Sequence, residues 1–125
     1  MTWFTASVLV AIKPHGYQSG PVQVYENMYL VEAPTSSEAL AKARKLGVDE
    51  PAIVDAGLTI DEEPAFREFV GIRKLINVSN PTPLRQDEDR PTDGTEVTYS
   101  LYEVEDMQAL QELASGNPLR LVYVE

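Results

Sequence analysis

From Trp3 to Ile12 the chain alternates: Phe4, Ala6, Val8, Val10 and Ile12 fall on one side, and Trp3, Thr5, Ser7, Leu9 and Ala11 on the other. A period of two with β-branched enrichment predicts a strand. The turn formers from Lys13-Pro14-His15-Gly16 to Ser19-Gly20-Pro21 end it. A second strand follows from Val22 to about Ala33, so this part of the chain reads as one long hairpin.

The period then changes. Thr35 with Glu38 three residues on forms a capping box, hydroxyl to backbone N–H one way and carboxylate back the other. Leu40, Ala43 and Leu46, with Ala39 beside them, supply the stripe expected to be buried. Lys42, Arg44 and Lys45 suit the negative end of the helix dipole. Gly47 is placed to end the helix with positive φ. Pro51 to Ala56 fits a short helical turn or irregular chain, and Leu58 to Glu62 a short strand. Ala65 to about Val78 reads as a longer strand, with Phe66, Val70, Ile72 and Ile76 apolar and Arg67, Arg73 and Lys74 interspersed.

Residues 77–94 carry Pro81, Pro83, Pro91 and the run Asp87-Glu88-Asp89. A stretch that long without pattern predicts a mobile loop, with Pro81 to Pro91 outside the core. Asp93-Gly94 turns the chain into a strand from Thr95 to about Val104. Asp106 caps a second helix with Met107, Leu110 and Ala114 on one face and Leu113 adjacent, and Gly116-Asn117-Pro118 ends it. Leu119 to Val124, apolar at nearly every position, suits a strand covered on both faces. The expectation is a single α+β domain over residues 1–125, in the order ββαβββαβ. Its largely antiparallel sheet has five to six strands, and both helices pack on one face, the side of Phe4, Val8, Val10, Val97 and Leu101.

Several short stretches, taken in order, resemble a family. They are Trp3-Phe4 opening the first strand, Tyr25-Glu26-Asn27 in the second, and Ser36-Ser37-Glu38-Ala39-Leu40 in the helix. Phe69-Val70-Gly71-Ile72 and Asp93-Gly94-Thr95-Glu96-Val97 follow. With these the chain resembles the small bacterial proteins grouped as domain of unknown function 4288. That family has no established activity, so the resemblance implies no catalytic residue. The segment from Tyr102 onward is longer than the resemblance implies.

Composition narrows the function classes. At 125 residues and 43% hydrophobic, the chain can bury a core without disulfide or metal support. With no cysteine, thiol nucleophiles and thiolate metal sites are excluded. The first basic residue, Lys13, follows the apolar stretch Val8 to Ile12, the wrong order for a secretory signal, and that stretch is too short to span a bilayer. The expected location is the cytoplasm. Twenty acidic against ten basic residues give a formal charge of −10, which repels phosphate backbones and anionic lipids. Neither nucleic acid nor membrane is an expected partner, although such a charge also serves simple solubility.

The candidate chemistry is sparse. His15 is the one histidine and sits in a Pro/Gly turn, with no orienting partner or nucleophile indicated by the sequence. Asp61-Glu62-Glu63, Asp87-Glu88-Asp89 and Glu103-Glu105-Asp106 invite a calcium reading. Counting from Asp89, however, the third position of an EF-hand loop falls on Pro91 and the twelfth on Ser100, although Asp93-Gly94 is in register. Solvated charge accounts for these clusters. The glycines form no phosphate loop, and Ser36 and Ser37 belong to a helix start rather than a nucleophile elbow. No cofactor and no metal is expected.

Two functional readings follow. The first is a non-enzymatic protein-binding or regulatory domain acting through protein–protein contact, with another protein or as a homodimer. If the helices cover one sheet face, the other keeps Trp3, Leu9 and Tyr102, with Val104 nearby, as a candidate interface. An acidic inhibitor or immunity-type protein that neutralises a basic partner is a specific form of this reading. The alternative is a small enzyme using the strand carboxylates Glu26, Glu68 and Glu96, with or without a divalent metal. Convergence of those carboxylates in a concave pocket favours the enzyme, and dispersal favours edge protection and the binding module.

Overall fold

A computed structural model of the chain describes residues 1–49, 59–60, 63–80 and 90–124. Two strands, β1 (Thr2–Pro14) and β2 (Gln23–Ala33), precede helix α1 (Ser36–Asp49). Then come β3 (Thr59–Ile60), β4 (Glu63–Asn77), β5 (Tyr102–Glu103), helix α2 (Met107–Ala114) and β6 (Val122–Tyr123). The fold is α+β, with an antiparallel sheet ordered β2-β1-β4-β3. Only β2, β1 and β4 are long. β1 is central, and residues are buried on both of its faces: Phe4, Ala6, Val8, Val10 and Ile12 on one, and Thr5, Ser7 and Ala11 on the other.

Helix α1 lies across the first of these faces and packs on β1, β2 and β4. The core there joins Phe4, Val8, Val10 and Val31 to Ala39 and Ala43, with Tyr29, Phe69, Ile72 and Leu75 at its margin. Each fully buried side chain of that size contributes about 1.5–3 kcal/mol, so the sheet supplies most of the apolar burial and the helix supplies proximity. Thr35 caps the helix as expected, its Oγ1 accepting from Glu38 N at 3.2 Å. The expected stripe is rotated, however. Ala39, Ala43 and Gly47 are the buried residues. Leu40 is half-buried and Leu46 is 41% exposed. Gly47 lies inside the helix rather than at its end, in the closest approach to the sheet. A Cβ there would meet Phe69 Cδ1 at 2.5 Å and Val8 Cγ1 at 2.9 Å.

The face assignment within β4 also changes. Its pairing with β1 slips between Ser7 and Val8 and again between Leu9 and Val10. Each slip places an extra residue, Arg73 and then Val70, in β4, so the apolar positions facing α1 are Phe69, Ile72 and Leu75, three apart. A strict period of two cannot pass through two bulges. Val70 is 58% exposed, and Ile76 turns to the far face opposite Thr5.

The C-terminal part departs most from expectation. Among the described residues no single sheet of five to six strands forms. Between Thr95 and Val104 only Tyr102–Glu103 is strand, together with an isolated bridge from Glu96 to Ser79. β6 is confined to Val122–Tyr123 and pairs with β5 in a separate two-stranded ribbon. Val122, Tyr123 and Val124 are exposed rather than covered on both faces. Val97 and Leu101, expected under the helices, are 43% and 53% exposed.

Helix α2 starts on Asp106, whose carboxylate accepts from Ala109 N at 2.8 Å, and Gly116 follows its end with φ +79°. It does not share the sheet face with α1. Among the described residues it packs on no other element and buries no residue, and Met107 and Leu110 point to solvent. Residues 51–56 and 81–89, including Asp87-Glu88-Asp89, lie outside the described residues, as do Asp61-Glu62. The described flanks of the 77–94 segment are tied together by the Ser79–Glu96 bridge and by Thr95 Oγ1 donating to Asn80 Oδ1. No described helix is long and apolar enough to cross a membrane, which says nothing of membrane barrels.

Candidate functional site

The far face of the sheet, opposite α1, gathers most of the polar chemistry. Its centre is Arg73, the extra residue of a β4 bulge. Bulges re-aim side chains, and this one sends Arg73 across β1 to Glu26 on β2. That reach spans two strand spacings, about 9.5 Å. Arg73 Nε donates to Glu26 Oε2, and each side chain is only 20% exposed. The Tyr123 ring of β6 lies over the guanidinium at 4.3 Å, and the Tyr102 ring of β5 meets Tyr123 edge-on at 4.9 Å. The neighbouring Lys74 Nζ donates to the Tyr99 carbonyl and, at 3.3 Å, to Ser100 Oγ. The C-terminal segment is therefore laid over the far face and held there by two cations of β4.

With Glu26 on one side and an aromatic ring on the other, Arg73 is built as a fastener rather than as a receptor for a free anion. Ser7, fully buried under this layer, donates its hydroxyl to Met28 Sδ at 3.0 Å. A thioether is too weak a base to activate a serine nucleophile.

Tyr123 has a perturbed proton affinity. Its phenol is pushed above the ordinary tyrosine value. The hydrogen bond to Tyr102 is the largest cause, followed by burial and by the negative charges of Tyr102 and Glu26, while Arg73 pulls the other way. The folded value exceeds the unfolded one, so this contribution to stability is intact below about pH 10 and is lost as pH rises through the folded value. An NMR titration of ring-labelled Tyr123 should give a midpoint above 10, moving back toward 10 in Tyr102→Phe. An unmoved midpoint would mean that burial sets the shift.

The candidate interface divides between two places. Trp3 and Leu9 are half-buried on the far face of β1. Tyr102 and Val104 belong to the ribbon segment, not to that sheet face, and Tyr102 is engaged with Tyr123. Val104 lines an open recess of about 280 Å³ with Glu103, Glu105, Arg120, Leu121 and Val122.

The three strand carboxylates do not share a pocket. Glu26 pairs with Arg73, Glu68 pairs with Lys13, and Glu96 is exposed beside Ser79 beyond the end of β4. Glu26 and Glu68 do lie on the same face, flanking Leu9 and Ala11 of β1 on opposite sides. His15 is exposed, with its ring 5.3 Å from Phe66. No three metal-ligating side chains cluster among the described residues.

What sequence reasoning missed was Arg73. The signal was present in the three-residue spacing Phe69, Ile72, Leu75, which marks bulges and singles out the residues between. A further feature is the outer strand. On its far face β2 presents Val24, Met28 and Leu30, which are 54%, 43% and 46% exposed. No protein-family model matches this chain, and neither a curated protein nor a solved structure matches it.

Proposed function

We propose that this chain is a non-enzymatic binding module that acts through protein–protein contact. The observation that carries the reading is the apolar row Val24, Met28 and Leu30 on the outermost long strand. Single exposed apolar residues are ordinary on any surface. A row of three on one face of one edge strand, interrupted only by Glu26, supports a contact surface. The separate pairing of Glu26 and Glu68 supports the same reading, because each carboxylate is met by its own cation. The formal charge of −10 suits a basic partner, as in an acidic inhibitor or immunity-type protein. The likeness to the domain of unknown function 4288 proteins belongs to this reading and assigns no activity.

The test is photo-crosslinking in cells. A photoreactive residue at Leu30 should yield an adduct of defined mass, to another protein or to a second copy, and one at Lys45 on the exposed side of α1 should not. Absence of an adduct at Leu30, Val24 and Met28 alike would end the reading.

A further inference from the structure

The backbone of β2 says what kind of partner its surface takes. The Trp3 carbonyl accepts from Val78 N at 3.0 Å, so the peptide groups of Trp3 are turned toward β4. In an antiparallel ladder this direction alternates. Phe4, Ala6, Val8 and Val10 therefore bond to Val31, Tyr29, Asn27 and Tyr25 of β2, and the β2 residues between them turn their N–H and C=O groups outward. These are Val24, Glu26, Met28, Leu30 and Glu32. An independent bond agrees: the Glu32 carbonyl is taken from outside the sheet by Lys42 Nζ at 2.6 Å. From Val24 to Leu30 the outward groups meet no strand among the described residues, since β2 ends the sheet order.

Proteins normally guard such an edge with a bulge, a proline or an exposed lysine. The β1–β2 register runs without a slip, and β2 contains no proline, lysine or arginine. Its central charge, Glu26, is drawn back over the sheet by Arg73 and does not guard the edge. Three of these five outward-bonding residues, Val24, Met28 and Leu30, carry the apolar row of the preceding section. Backbone donors and acceptors with an apolar row beside them match an extended peptide, added as a further strand.

The partner's charge follows as well. β2 carries only acidic charges and the chain as a whole is at −10, which attracts a basic segment and opposes a second copy. A strand-only contact between two folded domains would also fall short of the roughly 1,200 Å² that stable pairs bury, whereas a flexible segment needs no second matching surface.

Resting on the binding-module reading, we infer that the Val24–Leu30 edge of β2 accepts an extended, basic, apolar-alternating segment of another protein by strand addition.

The probe is a random peptide library displayed on phage and selected on the full chain at low salt, with bound peptides then measured by calorimetry. Selected peptides should alternate apolar residues, carry net positive charge and weaken as salt rises. Met28→Pro removes an outward N–H that meets no strand among the described residues, so it should fold, whereas Asn27→Pro removes an inward bond and should melt well below wild type. Peptides should bind Met28→Pro at least about tenfold more weakly, bind Leu30→Lys more weakly too, and be indifferent to Val70→Lys. Peptides that are acidic, indifferent to Met28→Pro and Leu30→Lys, or not found at all would overturn strand addition. If the photo-crosslink at Leu30 persists in that case, the binding-module reading stands without it. A dimer in sedimentation velocity that Met28→Pro and Leu30→Lys dissolve would assign the edge to a second copy and likewise overturn the inference.

Discussion

Gly47→Ala should destabilise the fold by about 1–3 kcal/mol, the usual cost of forcing a methyl into a packed interface. Helix propensity argues the other way, since alanine is better than glycine in a helix interior by about 1 kcal/mol. Contact decides the sign. The new Cβ would lie 2.5 Å from Phe69 Cδ1 and 2.9 Å from Val8 Cγ1, and Val8 is itself fully buried with nowhere to move. Either the helix lifts off the sheet or two core side chains leave their rotamers.

Gly71 makes the internal control. It lies in β4, and a Cβ there meets nothing within 4 Å. Gly71→Ala should therefore stay within about 0.5 kcal/mol of wild type or gain slightly from a stiffer unfolded chain. Denaturant midpoints of the two variants should separate clearly, and the Gly47→Ala penalty should shrink in a Phe69→Leu background. Equal midpoints would show that α1 does not approach the sheet as closely as its small residues require.

That helix also shows which kinds of information a sequence carries. Alternation marks β1, and the turn formers after it place β2 as the second arm of a hairpin. Thr35 and Glu38 mark the start of α1 for an equally local reason. The buried side of α1 is not legible in that way. Hydrophobicity points to Leu40 and Leu46, but the sheet beneath already holds Phe4, Phe69 and Val8, and the geometry leaves room only for Ala39, Ala43 and Gly47. Volume across an interface is a property of two elements, and no window along one of them contains it.

The same holds farther on. The interspersed Arg73 and Lys74 of β4 become sensible once the bulges are known, but a bulge is a property of the pairing with β1. Thr95 to Val104 and Leu119 to Val124 have strand composition, yet neither joins the sheet of β1, β2 and β4. What remains for them is a short ribbon over the far face. Strand propensity expresses a fit to a partly buried pleated surface and does not supply the partner.

Arg73→Ala should have the other large effect, about 2 kcal/mol in stability together with release of the ribbon. Three contributions combine. The ion pair with Glu26 is lost, and at 20% exposure for both side chains it lies between a surface pair worth well under 1 kcal/mol and a buried one whose breakage costs about 3–5. Glu26 is left as a mostly buried carboxylate beside Leu9 without its cation. The Tyr123 ring loses the guanidinium it covers, worth about 0.5–2 kcal/mol.

Arg73→Lys keeps the charge but not the flat surface, so it should recover part of the stability and little of the ribbon docking. Glu26→Gln leaves the stacking intact and should cost less than either. Two measurements separate the contributions. Denaturation reports the total, and amide exchange at Val124, whose N–H is bonded to the Leu101 carbonyl, reports the ribbon. In Arg73→Ala the Val124 amide should exchange much faster, while Val8 and Val31, bonded within the β1–β2 ladder, lose protection only by the global change. Proportional loss at all three sites would mean that ribbon and sheet unfold as one unit. Unchanged exchange at Val124 would show that Lys74 and the tyrosine pair hold the ribbon without Arg73.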